Sequence, residues 1–159
     1  MNTTDAPVAP KLQISRWLNT EKDIQLEDLK GQVVALFAFQ MLCPGCVAYT
    51  LPQFKKVHTL FAHHNVAVIG LHTVFEQHDA MQEASLTAFL HEYKIDFPVG
   101  IDQPSEQPTN PLPKTMRSYD MNGTPTIILL DKQGRIRKQK MGHEEDLILG
   151  AEIMMLLNE

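Results

Sequence analysis

Both cysteines of the chain lie in the segment Cys43-Pro44-Gly45-Cys46, where two residues separate them. This C-x-x-C spacing allows one thiolate to attack a disulfide and a second sulfur to resolve the mixed disulfide that forms. We therefore predict reversible thiol–disulfide exchange, with Cys43 as the attacking sulfur and Cys46 as the resolving sulfur. The reaction uses side chains alone, so we predict no bound cofactor and no metal.

The flanking residues predict that the pair lies on a turn from a strand to a helix. Residues 33–39 are apolar throughout, which is typical of a strand buried on both faces of a sheet. After the pair, apolar residues recur at helical spacing for several turns. With Cys43 as the N-cap of this helix, the amides of Gly45 and Cys46 point toward its sulfur and favour the thiolate. Cys46 is expected to be the more buried sulfur.

A zinc site and a pair of unrelated buried thiols are weaker interpretations of the two cysteines. A C-x-x-C can supply half of a tetrahedral zinc site, but the chain has no second such pair and no histidine pair at zinc-finger spacing. The cysteines could also be buried without acting together. In a reducing compartment, however, a lone cysteine pair is more often catalytic than structural.

Length and charge set the broad class of the protein. The chain has 159 residues, 43% of them hydrophobic, which suits one domain with a sizeable core. Residues 1–10 are polar and contain prolines, so we predict a flexible N-terminal arm followed by a single domain over residues 11–159. A net charge of −5 without a basic stripe argues against nucleic acid as a partner. No run resembles a signal peptide or a membrane span, which predicts a soluble, cytoplasmic protein without a membrane partner.

Two further apolar runs, residues 66–71 and 126–130, predict additional buried strands. The first helix between two such strands makes a right-handed β-α-β unit of the α/β class. The carboxyl ends of parallel strands lie at one edge, so polar residues after the second strand should lie near Cys43. His72 and Glu76 are therefore candidate proton shuttles.

Prolines mark two irregular regions. Pro52 lies inside the first predicted helix, where it removes the hydrogen bond to the Ala48 carbonyl and predicts a bend. Residues 102–113 form a polar loop with several prolines that is too long for a simple connection. We predict that this loop is an insertion near the substrate edge.

The C-terminal segment from Glu144 to about Leu157 is predicted as a helix with two apolar faces. The face predicted to join the core consists of Leu147, Ile148, Ala151, Met154 and Met155. The opposite face is predicted to form a homodimer contact or to pack under a loop; it consists of Leu149, Ile153 and Leu156.

Several motifs together give the chain a resemblance to the thioredoxin-like superfamily, and within it to the TlpA-like and redoxin branch. Besides the cysteine motif and Pro52, they are Trp17-Leu18-Asn19, Leu26-x-x-Leu29-x-Gly31-x-Val33-Val34, Gly123-Thr124-Pro125-Thr126 and Leu130-Asp131-x-x-Gly134-x-Ile136. The resemblance covers about residues 8–157. It implies the thioredoxin fold, an α/β fold in which helices flank both faces of a central mixed β-sheet.

The resemblance also implies roles for individual residues. The first cysteine is the nucleophile of this superfamily, and the proline that matches Pro125 is cis. Thr124 and Pro125 should then lie against the cysteine pair and present backbone to an extended substrate. The implied partners are a protein or small-molecule disulfide and an external thiol that donates electrons.

The chain also departs from the superfamily pattern. Members commonly have tryptophan before the first cysteine, whereas Met41 and Leu42 occupy this flank and are predicted to bind substrate. Thioredoxins carry a buried acid in the preceding strand, but residues 35–39 are wholly apolar. Glu76 or a histidine is left as the substitute that takes the proton of Cys46.

Two alternative functions remain open at this point. In a peroxiredoxin-like thiol peroxidase Cys46 would be the peroxidatic cysteine, but Phe39 and Cys43 occupy the positions of the expected proline and threonine. A redox-inert binding module would use an exposed surface of Met41, Leu42 and Met121. It requires an unreactive Cys43, against which the helix cap argues.

Overall fold

The computed structural model describes residues 5–159, and within them six strands form one sheet. The strands are β1 (Ile14–Leu18), β2 (Val33–Phe39), β3 (Val66–His72), β4 (Val99–Asp102), β5 (Thr126–Leu130) and β6 (Ile136–Met141). Their spatial order is β1-β4-β3-β2-β5-β6. β2, β3 and β4 are parallel, whereas β1 and β6 at the edges and β5 beside β2 pair antiparallel with their neighbours. The sheet is therefore mixed, as predicted.

Four α-helices lie in the described part of the chain. They are α1 (Leu51–Leu60), α2 (Glu83–Glu92), α3 (Lys114–Ser118) and α4 (Asp146–Leu157). A 3₁₀ helix, Leu26–Leu29, precedes β2, and a π-helical turn, Cys46–Thr50, leads directly into α1. From residue 5 onward, none of the helices combines the length and the apolar character needed to cross a membrane.

Both faces of β2 are buried, which explains its continuous apolar run. One face packs against α1, α2 and α4 through Val33, Ala35, Phe37 and Phe39. The alternate residues of β2 pack on the opposite side with Met116 of α3 and with the 3₁₀ helix. The ring of Phe37 lies 4.4 Å from that of Phe54 in α1, and burial of each such ring contributes about 2–3 kcal/mol. Helices thus flank both faces of the sheet, which confirms the prediction.

The register of the three central strands brings three chain segments to one edge of the sheet. Phe39, the last residue of β2, pairs with His72 at the end of β3. On the other side of β2, Ala38 pairs with Thr126, the first residue of the antiparallel β5. The cysteine turn after β2, the loop after β3 and Pro125 before β5 therefore meet at this edge.

Pro52 is accommodated by the π-helical turn. The Leu51 amide donates to the Cys46 carbonyl, five residues back, instead of the usual four. The helical turn is wider just before Pro52, whose nitrogen has no hydrogen to donate. Cys46 thereby lies at the start of an irregular turn.

Residues 5–10 pack against the domain, so the prediction of a flexible arm was wrong for this part. Ala6 is 1% exposed, and the Ile136 amide donates to the Pro7 carbonyl at 2.8 Å. These contacts cover the beginning of β6, which is more than a hundred residues away in sequence. Residues 1–4 lie outside the described residues.

The two faces of α4 are the reverse of the prediction. The buried residues are Leu149, Ile153 and Leu156, which join the core beside β2. The exposed apolar residues are Leu147, Ile148, Met154 and Met155. Because both faces are apolar, helical periodicity does not indicate which one packs on the sheet.

Candidate active site

Cys43 lies on the turn that follows β2 and is partly exposed. Its amide donates to the Gln40 carbonyl at 3.0 Å, which closes the turn. The Cys46 amide donates to the Cys43 sulfur at 3.3 Å, so one of the two amides predicted to point at this sulfur does so. The Cys43 sulfur is thus accessible and has a backbone hydrogen-bond donor directed at it.

Cys46 is fully buried, as predicted, and both cysteines are free thiols. Burial raises the pKa of the Cys46 thiol to about 12, and its hydrogen bond with Cys43 adds to the rise. Hydrogen bonds from the Gln40 backbone and the Thr124 side chain act in the opposite direction and lower this pKa. The second thiol is thus kept protonated and is contacted by two groups that would stabilise its thiolate.

The segment before β5 lies against the cysteine turn. The Thr124–Pro125 peptide bond is cis. The Cys43 thiol donates to the Thr124 carbonyl, with sulfur and oxygen 3.5 Å apart. A Cβ atom placed on Gly45 would lie 3.6 Å from Cδ of Pro125. The structure therefore brings together the two cysteines, Thr124 and Pro125.

Met41 does not contribute to an exposed substrate surface, contrary to the prediction. It is 7% exposed and belongs to the core beside β2, whereas Leu42 is 50% exposed. Met121 is also buried, which leaves the predicted surface of the binding module with Leu42 alone. A second exposed apolar residue near the site is Met141, whose sulfur lies 3.2 Å from the position of a Cβ on Gly123. Sequence reasoning missed Met141 because only the β5–β6 register, Thr126 opposite Met141, brings it here.

His72, one of the two candidate proton shuttles, is buried at the end of β3 and accepts a backbone hydrogen bond. Its Nε2 atom accepts a hydrogen bond from the Met41 amide at 3.3 Å. Burial lowers the pKa of His72 to about 4. The neutral imidazole therefore fixes the backbone just before Cys43, and its acceptor nitrogen is already used.

Glu76, the other candidate shuttle, is exposed on the loop after β3. Its Oε1 atom accepts a hydrogen bond from Nε2 of Gln40 at 3.4 Å. The same Nε2 atom donates to Oγ1 of Thr124, also at 3.4 Å. The structure thus connects Glu76 to the site through Gln40.

Gln40 is a site residue that the sequence reasoning did not single out. It is 1% exposed and directly follows the apolar β2. Its Oε1 atom accepts a hydrogen bond from the Phe75 amide at 3.2 Å. The available signal was a polar residue between an all-apolar strand and the cysteine motif, which indicates a buried amide that needs partners.

The predicted 102–113 insertion lines a cleft of about 630 Å³. Val74 and His78, which follow β3, line its other side. Neither cysteine, nor Thr124, nor Pro125 is among its lining residues. The cleft that this loop lines therefore does not include the thiols.

Known proteins resemble this chain in sequence over most of its length. The family model described as Redoxin matches residues 4–150. Thiol-disulfide oxidoreductase ResA of Bacillus thuringiensis is 27% identical over 124 residues, which are 77% of this chain and 62% of that protein. Sporulation thiol-disulfide oxidoreductase A of Bacillus subtilis is 28% identical over 137 residues, 86% of this chain and 74% of that protein. The chain thus spans less than two thirds of the length of ResA.

Solved structures show the same architecture at higher identity. A thioredoxin-like superfamily protein is 52% identical with a TM-score of 0.92, and the match covers 97% of this chain and 98% of that one. A thiol-disulfide isomerase from Corynebacterium glutamicum is 44% identical with a TM-score of 0.91, covering 98% and 99%. These similarities confirm the thioredoxin-like fold and the resemblance stated from the motifs. Since the family model matches nearly the whole length, the chain belongs to the Redoxin family.

Proposed function

We propose that the protein is a thiol–disulfide oxidoreductase in which Cys43 attacks and Cys46 resolves. The observation that carries the proposal is the contrast between the two sulfurs. Cys43 is accessible and receives the Cys46 amide, while the Cys46 thiol beside it is buried. Two sequence relatives named thiol-disulfide oxidoreductase and a structural relative named thiol-disulfide isomerase support the same reaction.

The exchange proceeds in two balanced steps. The Cys43 thiolate attacks one sulfur of the substrate disulfide, and the other substrate sulfur leaves as a thiolate that takes a proton from water. Cys46 then loses its proton to water and attacks the Cys43 sulfur. The bond between Cys43 and the substrate breaks, and the second substrate sulfur leaves with the electron pair. Two thiol groups of an external donor then reduce the Cys43–Cys46 disulfide to two thiols, become a disulfide themselves, and close the cycle.

The substrate is an extended segment that carries the disulfide across Thr124 and Pro125. In the free protein the Thr124 carbonyl accepts the Cys43 thiol. Loss of that proton frees the carbonyl for a backbone amide of the substrate, as in addition of a short strand. Leu42, which precedes Cys43, and Met141, which lies against Gly123, are 50% and 59% exposed and offer apolar contact.

The test compares the single cysteine variants with the wild type. Cys43→Ser is expected to abolish reduction of a model protein disulfide, because the attacking sulfur is removed. Cys46→Ser is expected to retain the first step and to accumulate a mixed disulfide, which mass spectrometry of the non-reduced protein detects. Disulfide exchange that survives in Cys43→Ser would contradict the proposal.

A thiol peroxidase with Cys46 as the peroxidatic residue has less support. Peroxide attack needs an accessible thiolate, whereas Cys46 is fully buried. Its pKa is raised to about 12, far from the low value that makes a cysteine reactive. Stopped-flow reaction of the reduced protein with hydrogen peroxide separates the two functions, since a fast reaction that depends on Cys46 would favour the peroxidase.

A further inference from the structure

The resolving step requires deprotonation of the buried Cys46 thiol, and the strand before the motif supplies no group that assists it. Cys46 must become a thiolate to attack Cys43, yet it is 0% exposed. Every residue of β2 is apolar and buried, so no acid in this strand receives the proton. His72 at the end of β3 is neutral and therefore supplies no positive charge. Glu76 is connected to the site only through its hydrogen bond with Gln40. Stabilisation of the Cys46 thiolate must therefore come from neutral hydrogen-bond donors.

The side chain of Gln40 has a fixed orientation. Its oxygen accepts the Phe75 amide at 3.2 Å, and a backbone amide can only meet an acceptor. The NH₂ group must then face the opposite way, where it donates to Glu76 and to Oγ1 of Thr124. Gln40 is 1% exposed, so solvent cannot replace these hydrogen-bond partners of its side chain.

This orientation decides which way the Thr124 hydroxyl points. A hydroxyl has one hydrogen, and its oxygen already accepts a hydrogen bond from Gln40. Its hydrogen is therefore free for another acceptor, and a hydrogen bond from the Thr124 side chain lowers the pKa of the Cys46 thiol. The chain of donors runs from the Gln40 amide to the Thr124 hydroxyl to the Cys46 sulfur.

We propose that Gln40 is a positioning residue for the resolving step, in which its amide group turns the Thr124 hydroxyl to donate to Cys46 as the thiolate forms. The inference rests on the dithiol exchange proposed above. The Cys46 proton leaves to water, the Cys43–Cys46 bond forms, and the bond from Cys43 to the substrate breaks. The departing substrate sulfur keeps the electron pair. Gln40 itself touches no reacting atom with its side chain.

The substitution Gln40→Glu tests this role with almost no change of shape. One oxygen of the new carboxylate still accepts the hydrogen bond from the Phe75 amide. The other oxygen takes the place of Nε2 and can only accept a hydrogen bond, so the donor to Thr124 is lost. The Thr124 hydroxyl then turns its hydrogen toward residue 40 and away from Cys46. Gln53→Glu is the matched control, because Gln53 is 3% exposed and donates to Glu144 and Asp146 instead of to the thiols.

The experiment follows the fully reduced protein with dithionitrobenzoate, which releases one coloured thiolate when Cys43 attacks and a second when Cys46 resolves. In Gln40→Glu the first phase should change little. The second phase should slow at least about tenfold at neutral pH, because a rise of one unit in the pKa of Cys46 lowers its thiolate fraction about tenfold. The pH profile of the second phase should move upward by the same unit. In Gln53→Glu neither phase should change. An unchanged second phase in Gln40→Glu overturns the inference.

A second pair of variants covers the case in which Gln40→Glu does not fold. Thr124→Val removes the hydroxyl and should slow the second phase to a similar extent, and Thr124→Ser should restore most of the lost rate. If Thr124→Val resolves as fast as Thr124→Ser, the donor chain has no role. A wild type that releases no second thiolate would instead contradict the dithiol exchange itself, so the two failures are distinguishable.

Discussion

At the scale of single residues, the chemistry of the site depends on side chains that are neutral because they are buried. His72 is 1% exposed, and its ring accepts the Met41 amide two residues before Cys43. A charged imidazolium cannot accept that hydrogen bond, since both of its nitrogens carry hydrogen. Protonation of His72 would thus break the hydrogen bond that holds the backbone before the cysteine turn.

The pH dependence of stability should show this histidine. Burial lowers the pKa of His72 to about 4, from 6.5 for a free side chain. Between these values the unfolded chain binds a proton that the folded chain does not. The stabilisation is therefore complete above pH 6.5 and is lost as the pH falls toward 4. At about 1.4 kcal/mol per unit, the loss approaches about 3 kcal/mol.

Urea unfolding of the wild type and His72→Gln over this pH range measures the effect. Glutamine keeps an acceptor for Met41 but does not titrate, so its free energy of unfolding should fall less than that of the wild type. His91→Gln is the control, because the His91 side chain is 85% exposed. Parallel curves for the wild type and His72→Gln would show that His72 does not titrate with unfolding.

At the scale of elements, the sequence predicted what local patterns determine. The apolar runs identified β2, β3 and β5, and the C-x-x-C pair was placed correctly between a strand and a helix. Gln40 and Met141 were missed because their roles arise from contacts between segments far apart in sequence. Met41 was wrongly predicted as exposed, since the turn after β2 directs it back into the core. Spacing along the chain carries no information on such turns.

The π-helical turn leads to a prediction about stability. It contains Thr50, which is 0% exposed and whose hydroxyl has no hydrogen-bond partner among residues 5–159. Thr50→Val replaces this hydroxyl with a methyl group of similar size. We expect the free energy of unfolding to rise by about 1 kcal/mol, because an unpaired polar group no longer has to be buried.

Thr115→Val is the matched comparison, measured by the same urea titration. Thr115 is equally buried, but its hydroxyl accepts the Gln13 amide at 2.8 Å and donates to the Gln13 carbonyl at 3.2 Å. Its replacement should lower the free energy of unfolding by about 1–2 kcal/mol. If Thr50→Val destabilises the protein as much as Thr115→Val, the Thr50 hydroxyl has a partner in solution.

At the scale of the whole molecule, the errors at residues 5–10 and at α4 share one cause. Residues 5–10 contain two prolines and show no helix or strand periodicity in sequence, yet they pack beside β6 because that edge of the sheet offers free backbone groups. The α4 helix is apolar on both faces, so only the position of the sheet decides which one is buried. Both features depend on where the edges of the fold lie, which a pattern within one segment does not show.

The exposed face of α4 leads to the last prediction. The face first considered for a homodimer contact is buried, so we now expect the contact on the exposed face. Leu147 and Met155 are 89% and 65% exposed, and such patches are uncommon on monomers. A second copy would present the same face to form a two-fold contact. Sedimentation equilibrium should show a dimer for the wild type and a monomer for Leu147→Glu. Leu60→Glu, on α1 and 73% exposed, should remain dimeric; a wild type that is monomeric throughout would exclude this contact.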